Sequence, residues 1–150
     1  MSDDDLLADL RAMWRATDPP PPDLVDDVLL RLAPELDDDP ELLALLADSD
    51  VLDGVRAGGS GDTRTFAGDG IDLLLSIGRT PDGRRRIDGW IAPAARGAVT
   101  LAVGAFTGEA AVGDTGRFVL TAVPVGDAVL EITVRIAGAV RRLRTPAFPL

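Results

Sequence analysis

Leu130-Glu131-Ile132-Thr133-Val134-Arg135-Ile136 places a branched apolar side chain at every second position, with a polar one between each pair. Successive residues of a strand point to opposite faces, so this spacing buries Leu130, Ile132, Val134 and Ile136 together and turns Glu131, Thr133 and Arg135 the other way. Ile71, Leu73, Leu75 and Ile77 repeat the pattern around Asp72, Leu74 and Ser76, and Val99, Leu101 and Val103 repeat it again. Between the runs stand turn formers: Pro81-Asp82-Gly83, Gly113-Asp114-Thr115-Gly116, Pro124-Val125-Gly126 and Ala137-Gly138. Short strands divided in this way predict a predominantly antiparallel β-sandwich of about seven strands. The runs lie near residues 63–67, 71–78, 84–92, 97–104, 108–112, 116–121, 127–136 and 139–145, one of them an irregular edge.

Toward the N-terminus the period changes. Leu6, Leu10, Met13 and Trp14 recur at helical spacing, as do Leu24, Val25, Val28, Leu29 and Leu32, which predicts two short amphipathic helices. Ser2 and Asp3-Asp4-Asp5 suit the start of the first, by capping and by the helix dipole. Asp18-Pro19-Pro20-Pro21-Pro22 must end it and form a stiff spacer, after which Asp23 caps the second helix. Pro34 closes that helix, and Asp39-Pro40-Glu41 has the chemistry to start a third through Leu42, Leu43, Leu45 and Leu46, although Leu42 to Leu52 would also suit a sheet. The fold class is therefore α+β, with an acidic helical arm over residues 1–57 joined through the flexible Gly58-Gly59-Ser60-Gly61 to a sandwich over residues 58–150.

Charge divides at the same place. Of the net −10, residues 1–57 carry 16 acidic groups and 4 Arg, or −12, and residues 58–150 carry 9 acidic groups and 11 Arg, or +2. All 15 basic residues are Arg, and the 150 residues include no Lys, His, Cys, Tyr, Asn or Gln. These absences exclude a His-containing triad, a thiol nucleophile, a Schiff-base or P-loop lysine and the usual zinc ligand set.

The run Asp88-Gly89-Trp90-Ile91, then Ala98-Val99-Thr100-Leu101, then Gly113-Asp114-Thr115-Gly116-Arg117-Phe118-Val119-Leu120, then Val123-Pro124-Val125-Gly126 and the strand Val129 to Ile136 resembles the prealbumin-like modules called carboxypeptidase regulatory-like domains. The resemblance covers roughly residues 88–136 and implies a non-catalytic accessory or binding sandwich of transthyretin or immunoglobulin type; the acidic helical third has no counterpart in such modules. As a whole the chain also resembles small actinobacterial proteins found beside extracytoplasmic-function sigma factors. Its arginine-only, alanine-rich usage fits a GC-rich genome, and this resemblance implies a regulatory role.

Residues that could carry chemistry have simpler readings. Asp114-Thr115-Gly116 spells the aspartic-protease triplet, but Gly113 before it and Arg117-Phe118 after it mark a hairpin turn. Asp48, Asp50 and Asp53-Gly54 miss the EF-hand pattern twice, because the third carboxylate stands at the sixth position and Gly59 replaces the final Glu; they read as solvated acids leaving a helix. Gly59-Ser60-Gly61 has no lysine to hold a phosphate. Arg84-Arg85-Arg86 and Arg141-Arg142-Arg144 suit edge-strand protection or the docking of an acidic segment, and a chain at −10 is a poor ligand for nucleic acid.

What is left is binding. The two apolar stripes, bordered by Asp9, Asp23, Asp26 and Asp27, either pack within the protein or form a partner-binding arm. In the second case Leu6, Leu10, Met13, Trp14, Leu24, Val28 and Leu29 contact the partner, while Asp26 and Asp27 select a basic protein surface such as that of a sigma factor. The expectation is a non-enzymatic regulatory or adaptor protein with no cofactor, no metal and no direct contact with nucleic acid or membrane. A peptide- or glycan-binding sandwich using loops 79–85, 93–97 and 104–116 is the alternative, and a homo-oligomer built on strand edges a third. The acidic start, where a secretory signal would be basic, predicts a cytoplasmic protein.

Overall fold

The computed structural model of the chain describes residues 3–32, 39–49 and 61–150. Two helices come first, α1 (Asp3–Thr17) and α2 (Leu24–Leu32). The strands are β1 (Glu41–Leu42), β2 (Ala44–Ser49), β3 (Gly61–Gly68), β4 (Ile71–Arg79), β5 (Arg85–Ala92), β6 (Gly97–Val103), β7 (Phe106–Val112), β8 (Arg117–Val123), β9 (Asp127–Ile136), β10 (Ala139–Arg144) and β11 (Phe148–Pro149). They make two sheets. Sheet A runs β1-β10-β9-β6-β7, with β11 added to the start of β9, and sheet B runs β2-β3-β4-β5-β8. Every pairing is antiparallel except that of β1 with β10.

Alternation along the strands decides which face is buried. Leu130, Ile132 and Val134 of β9, Val99 and Leu101 of β6, and Ile71, Leu73, Leu75 and Ile77 of β4 all point into one core shared by both sheets, with Phe66, Ile87, Phe118, Val123, Leu143 and Phe148. Ile136, at the end of β9, is only partly buried against it. The eight expected runs correspond to β3 through β10.

The third helix expected through Leu42, Leu43, Leu45 and Leu46 is strand instead. Glu41 and Leu42 pair with Leu143 and Arg144 of sheet A, and Ala44 to Ser49 then pair with β3 of sheet B. The physical reason is backbone satisfaction. Leu43 donates its N–H to the Arg144 carbonyl at 2.8 Å and drops its side chain into the core, whereas a helix there would have left the edges of β10 and β3 unpaired. Residues 41–49, placed in the arm by the sequence, thus belong to the sandwich. The expected boundary at 57/58 and the linker through Ser60 lie outside the described residues, and Gly61 already belongs to β3.

Inside the core, Gly89 of β5 stands opposite Phe118 of β8. A Cβ at Gly89 would lie 2.1 Å from the Phe118 ring, which is buried and has nowhere to swing. Gly89→Ala is expected to cost about 1–3 kcal/mol by overpacking, read as a lower urea midpoint with unchanged slope.

Candidate partner-binding surface

The first helix ends where the proline run begins, with the Asp18 N–H bonded to the Trp14 carbonyl at 2.8 Å. None of its residues is buried. Leu6, Leu10, Met13 and Trp14 are 39–63% exposed, so the stripe that the periodicity defines is not covered by the sandwich. On α2 the same holds: Leu24, Val25, Val28, Leu29 and Leu32 are 39–66% exposed. The alternative in which these stripes pack inside the protein is not what the helices do. Asp26 belongs to α2 by its backbone, and its side chain lies outside the described residues.

The second helix meets the sandwich with a different side. Asp23, just before its first residue, reaches Arg96 in the β5–β6 connection, with Oδ2 2.8 Å from Nη1. The Arg96 Nε stands 3.0 Å from Oδ1 of Asp114 in the β7–β8 turn. These neighbours, with Asp27 nearby, hold the guanidinium even more firmly charged than an ordinary arginine, the Asp23 hydrogen bond first among the causes. Asp27, itself exposed, also lines a groove between α2 and the sandwich.

That groove, about 500 Å³, runs between α2 and the outer face of sheet A. Its floor is smooth because cross-strand neighbours there are small: Ala98 pairs with Ala111 on one side and Thr133 on the other. A smaller cavity of about 230 Å³ lies on the other side of Leu30 and Arg96, against Ala94, Ala95 and Arg135. Thr133, on the outer face of β9, is only 9% exposed. Sequence reasoning missed Arg96. It stands singly in Ala94-Ala95-Arg96-Gly97, with no motif or periodicity to set it apart.

The remaining candidates resolve as ordinary structure. Asp114-Thr115-Gly116 is a turn, closed by the Gly116 N–H on the Gly113 carbonyl, with Gly116 at φ +76°. It joins strands of two different sheets, a corner where a hairpin was expected. Asp114→Asn is expected to leave the unfolding free energy, from urea titration, within about 0.5 kcal/mol of the parent's, as for most exposed substitutions, and to remove no proteolytic activity, measured on an unstructured substrate. Asp48 is on β2 and does not leave a helix; it pairs at 3.4 Å with Arg64, whose buried guanidinium lies 5.3 Å from the centre of the Phe148 ring. Asp50, Asp53 and Gly54 lie outside the described residues.

Arg85 and Arg86 lie on β5, which has a neighbour on each side, whereas β1 covers β10 only at Leu143 and Arg144, so Arg141 and Arg142 stand on a strand edge. Arg86 and Arg117 share Asp88, Arg144 pairs with Glu131, and Arg141 donates Nε–H to Glu41 at 2.9 Å. Arg141 thus binds a carboxylate from the acidic third of the same chain. These contacts hold the Glu41 and Asp88 carboxyls below the usual carboxylate range, through the Arg141 hydrogen bond for Glu41 and the Arg86 hydrogen bond for Asp88. A lowered folded-state value stabilises the fold above the unfolded-state pKa and is lost as pH falls through the folded one. Stability should therefore be full at neutral pH and decline on acidification, and the decline should be shallower in Asp88→Asn, as urea titrations at stepped pH would measure.

The loops proposed for a ligand-binding sandwich do not all converge: 93–96 and 113–116 meet through Arg96 and Asp114, and 80–84 lies at the far end. Residues 80–84 and 104–105 turn at one end of the sheets, while residues 93–96 and 113–116 turn at the other, as the pairings Arg85–Val123, Val103–Phe106, Gly97–Val112 and Trp90–Arg117 require. Among the described residues, no group of three or more His, Cys, Asp or Glu could hold a metal ion, and no helix is long and apolar enough to cross a membrane. Compared with protein-family models, curated proteins and solved structures, the chain matches none.

Proposed function

We propose that this protein is a non-catalytic regulatory or adaptor protein of the cytoplasm, which binds a partner protein through its N-terminal helices. The observation that carries this reading is the exposure of both apolar stripes, with Trp14 at 63% and Val25 at 66%. Contiguous exposed apolar side chains on a helix are a common form of docking surface, read at i, i+3, i+4 and i+7. The charge of −9 over residues 1–40, from 12 acidic residues and 3 Arg, favours a partner with a basic surface and speeds encounter, which suits a sigma factor or an associated signalling component. In this reading the sandwich, of prealbumin-like type, is the platform that carries the arm.

The test is affinity capture from the native host with the parent chain and the Leu10→Ala/Trp14→Ala variant. A basic partner held by the parent should bind the variant at least about tenfold more weakly, because a central Trp anchor commonly carries that much of a helix interface. Both side chains are exposed, so the urea midpoints should agree. Undiminished capture by the variant would sink the proposal.

A second reading has one observation in its favour. The strands β1 and β2 stand at the ends of their sheets and carry Leu42, Leu45 and Leu46 at 44–76% exposure, which suits strand-edge assembly between copies. Sedimentation velocity decides it: a concentration-dependent oligomer abolished by Leu46→Glu supports it, and a monomer at every concentration excludes it.

A further inference from the structure

The way α2 is attached differs from the way the strands are. We infer that α2 is a salt-sensitive strap, which opens and closes over the groove on the outer face of sheet A. Three observations carry this. The first is the tether: Arg96, Asp23 and Asp114 have side chains 48%, 51% and 83% exposed, and ion pairs in water at that exposure are weak and screened by salt. The second is the lack of apolar attachment, since the apolar stripe of α2 faces away and, among the described side chains of the helix, only Leu30 is half-buried. The third is free volume. Cavities of about 500 and 230 Å³ lie on either side of Leu30, whereas an interface meant to stay closed packs to the density of a protein interior.

Closed, the strap shields Thr133, engages Arg96 and presents Val25 and Val28 to solvent. Open, it frees the Arg96 guanidinium from Asp23 and uncovers Thr133. A helix of nine residues keeps little helicity without tertiary support, so opening also frays it. None of this requires a partner, and the strap stands or falls separately from the arm's binding role.

The cysteine-free sequence allows a clean measurement on the full chain. Spin labels at Val25→Cys, on the outward stripe, and at Thr107→Cys, on the outer face of β7, report the distance from strap to sheet by pulsed electron resonance. At about 20 mM salt the distribution should be narrow, and near 1 M, where the screening length falls to about 3 Å, a longer, broader component should grow by about threefold or more. Arg96→Ala should produce that component at low salt. Its side chain is not needed for the sheet, because it is the Arg96 carbonyl that accepts the Arg135 N–H at 3.1 Å. If the Arg96 variant does not fold, Asp23→Asn gives the same readout from the other side of the pair. A distribution that is identical at both salt concentrations and in the variants overturns the strap.

Discussion

Leu130→Ala is expected to destabilise the sandwich by about 4–5 kcal/mol, toward the upper part of the range for large-to-small core substitutions. Leu130 is fully buried at the centre of β9, directly opposite the equally buried Leu101 of β6. The cost depends on whether the surroundings can collapse into the cavity. Here the backbone is pinned: the Leu130 N–H donates to the Thr145 Oγ1 and its carbonyl accepts from the Thr145 N–H, each at 3.0 Å. With β9 also fixed between β6 and β10, relaxation is small and most of the void remains. Leu130→Met keeps the volume and should cost under about 1.5 kcal/mol. Urea unfolding of both variants checks the contrast; a loss below about 1 kcal/mol in the alanine variant would contradict the pinning.

Gly97→Ala should be comparably damaging, by about 3 kcal/mol or more, through the opposite mechanism. Gly97 begins β6, and an added Cβ would lie 2.0 Å from the Thr133 carbonyl oxygen and 2.9 Å from the Val134 Cα. Both are backbone atoms of the neighbouring strand, so no rotamer change relieves the contact. The strands must separate where Gly97 pairs with Val134, and ladder hydrogen bonds are lost with them. The melting temperature should fall by about 10 °C or more. Ala98→Gly, next in the strand and facing outward, serves as the control and should cost at most about 1 kcal/mol. Equal stabilities for the two variants would show that β6 can shift freely against β9.

These effects also explain how much could be read in advance. The alternation in β4, β6 and β9 was legible because burial on one face of a strand imposes a period of two directly on residue type. The turns were legible because Gly83, Gly116, Gly126 and Gly138 adopt positive φ, which selects glycine at each of those positions. Residues 41–49 were not, since Leu42, Leu43, Leu45 and Leu46 fit a helical stripe as well as a strand. The unpaired edges of β10 and β3, whose hydrogen-bonding groups come from residues far along the chain, settled the matter. The same limit hid the groove beneath α2: helical spacing fixes which residues share a side, but not which side meets the sandwich.

Sequence periodicity therefore established an α+β chain, two amphipathic helices, the runs that became β3 through β10, and an acidic N-terminal third, because each of these is written in neighbours a few residues apart. Only the tertiary structure decided that residues 41–49 enter both sheets, that the corner at Asp114 joins them, and that Arg96 gathers Asp23 and Asp114 beneath α2. Those three carboxylate and guanidinium groups come from positions 23, 96 and 114, and an attraction between groups so far apart in the chain leaves no pattern in local sequence.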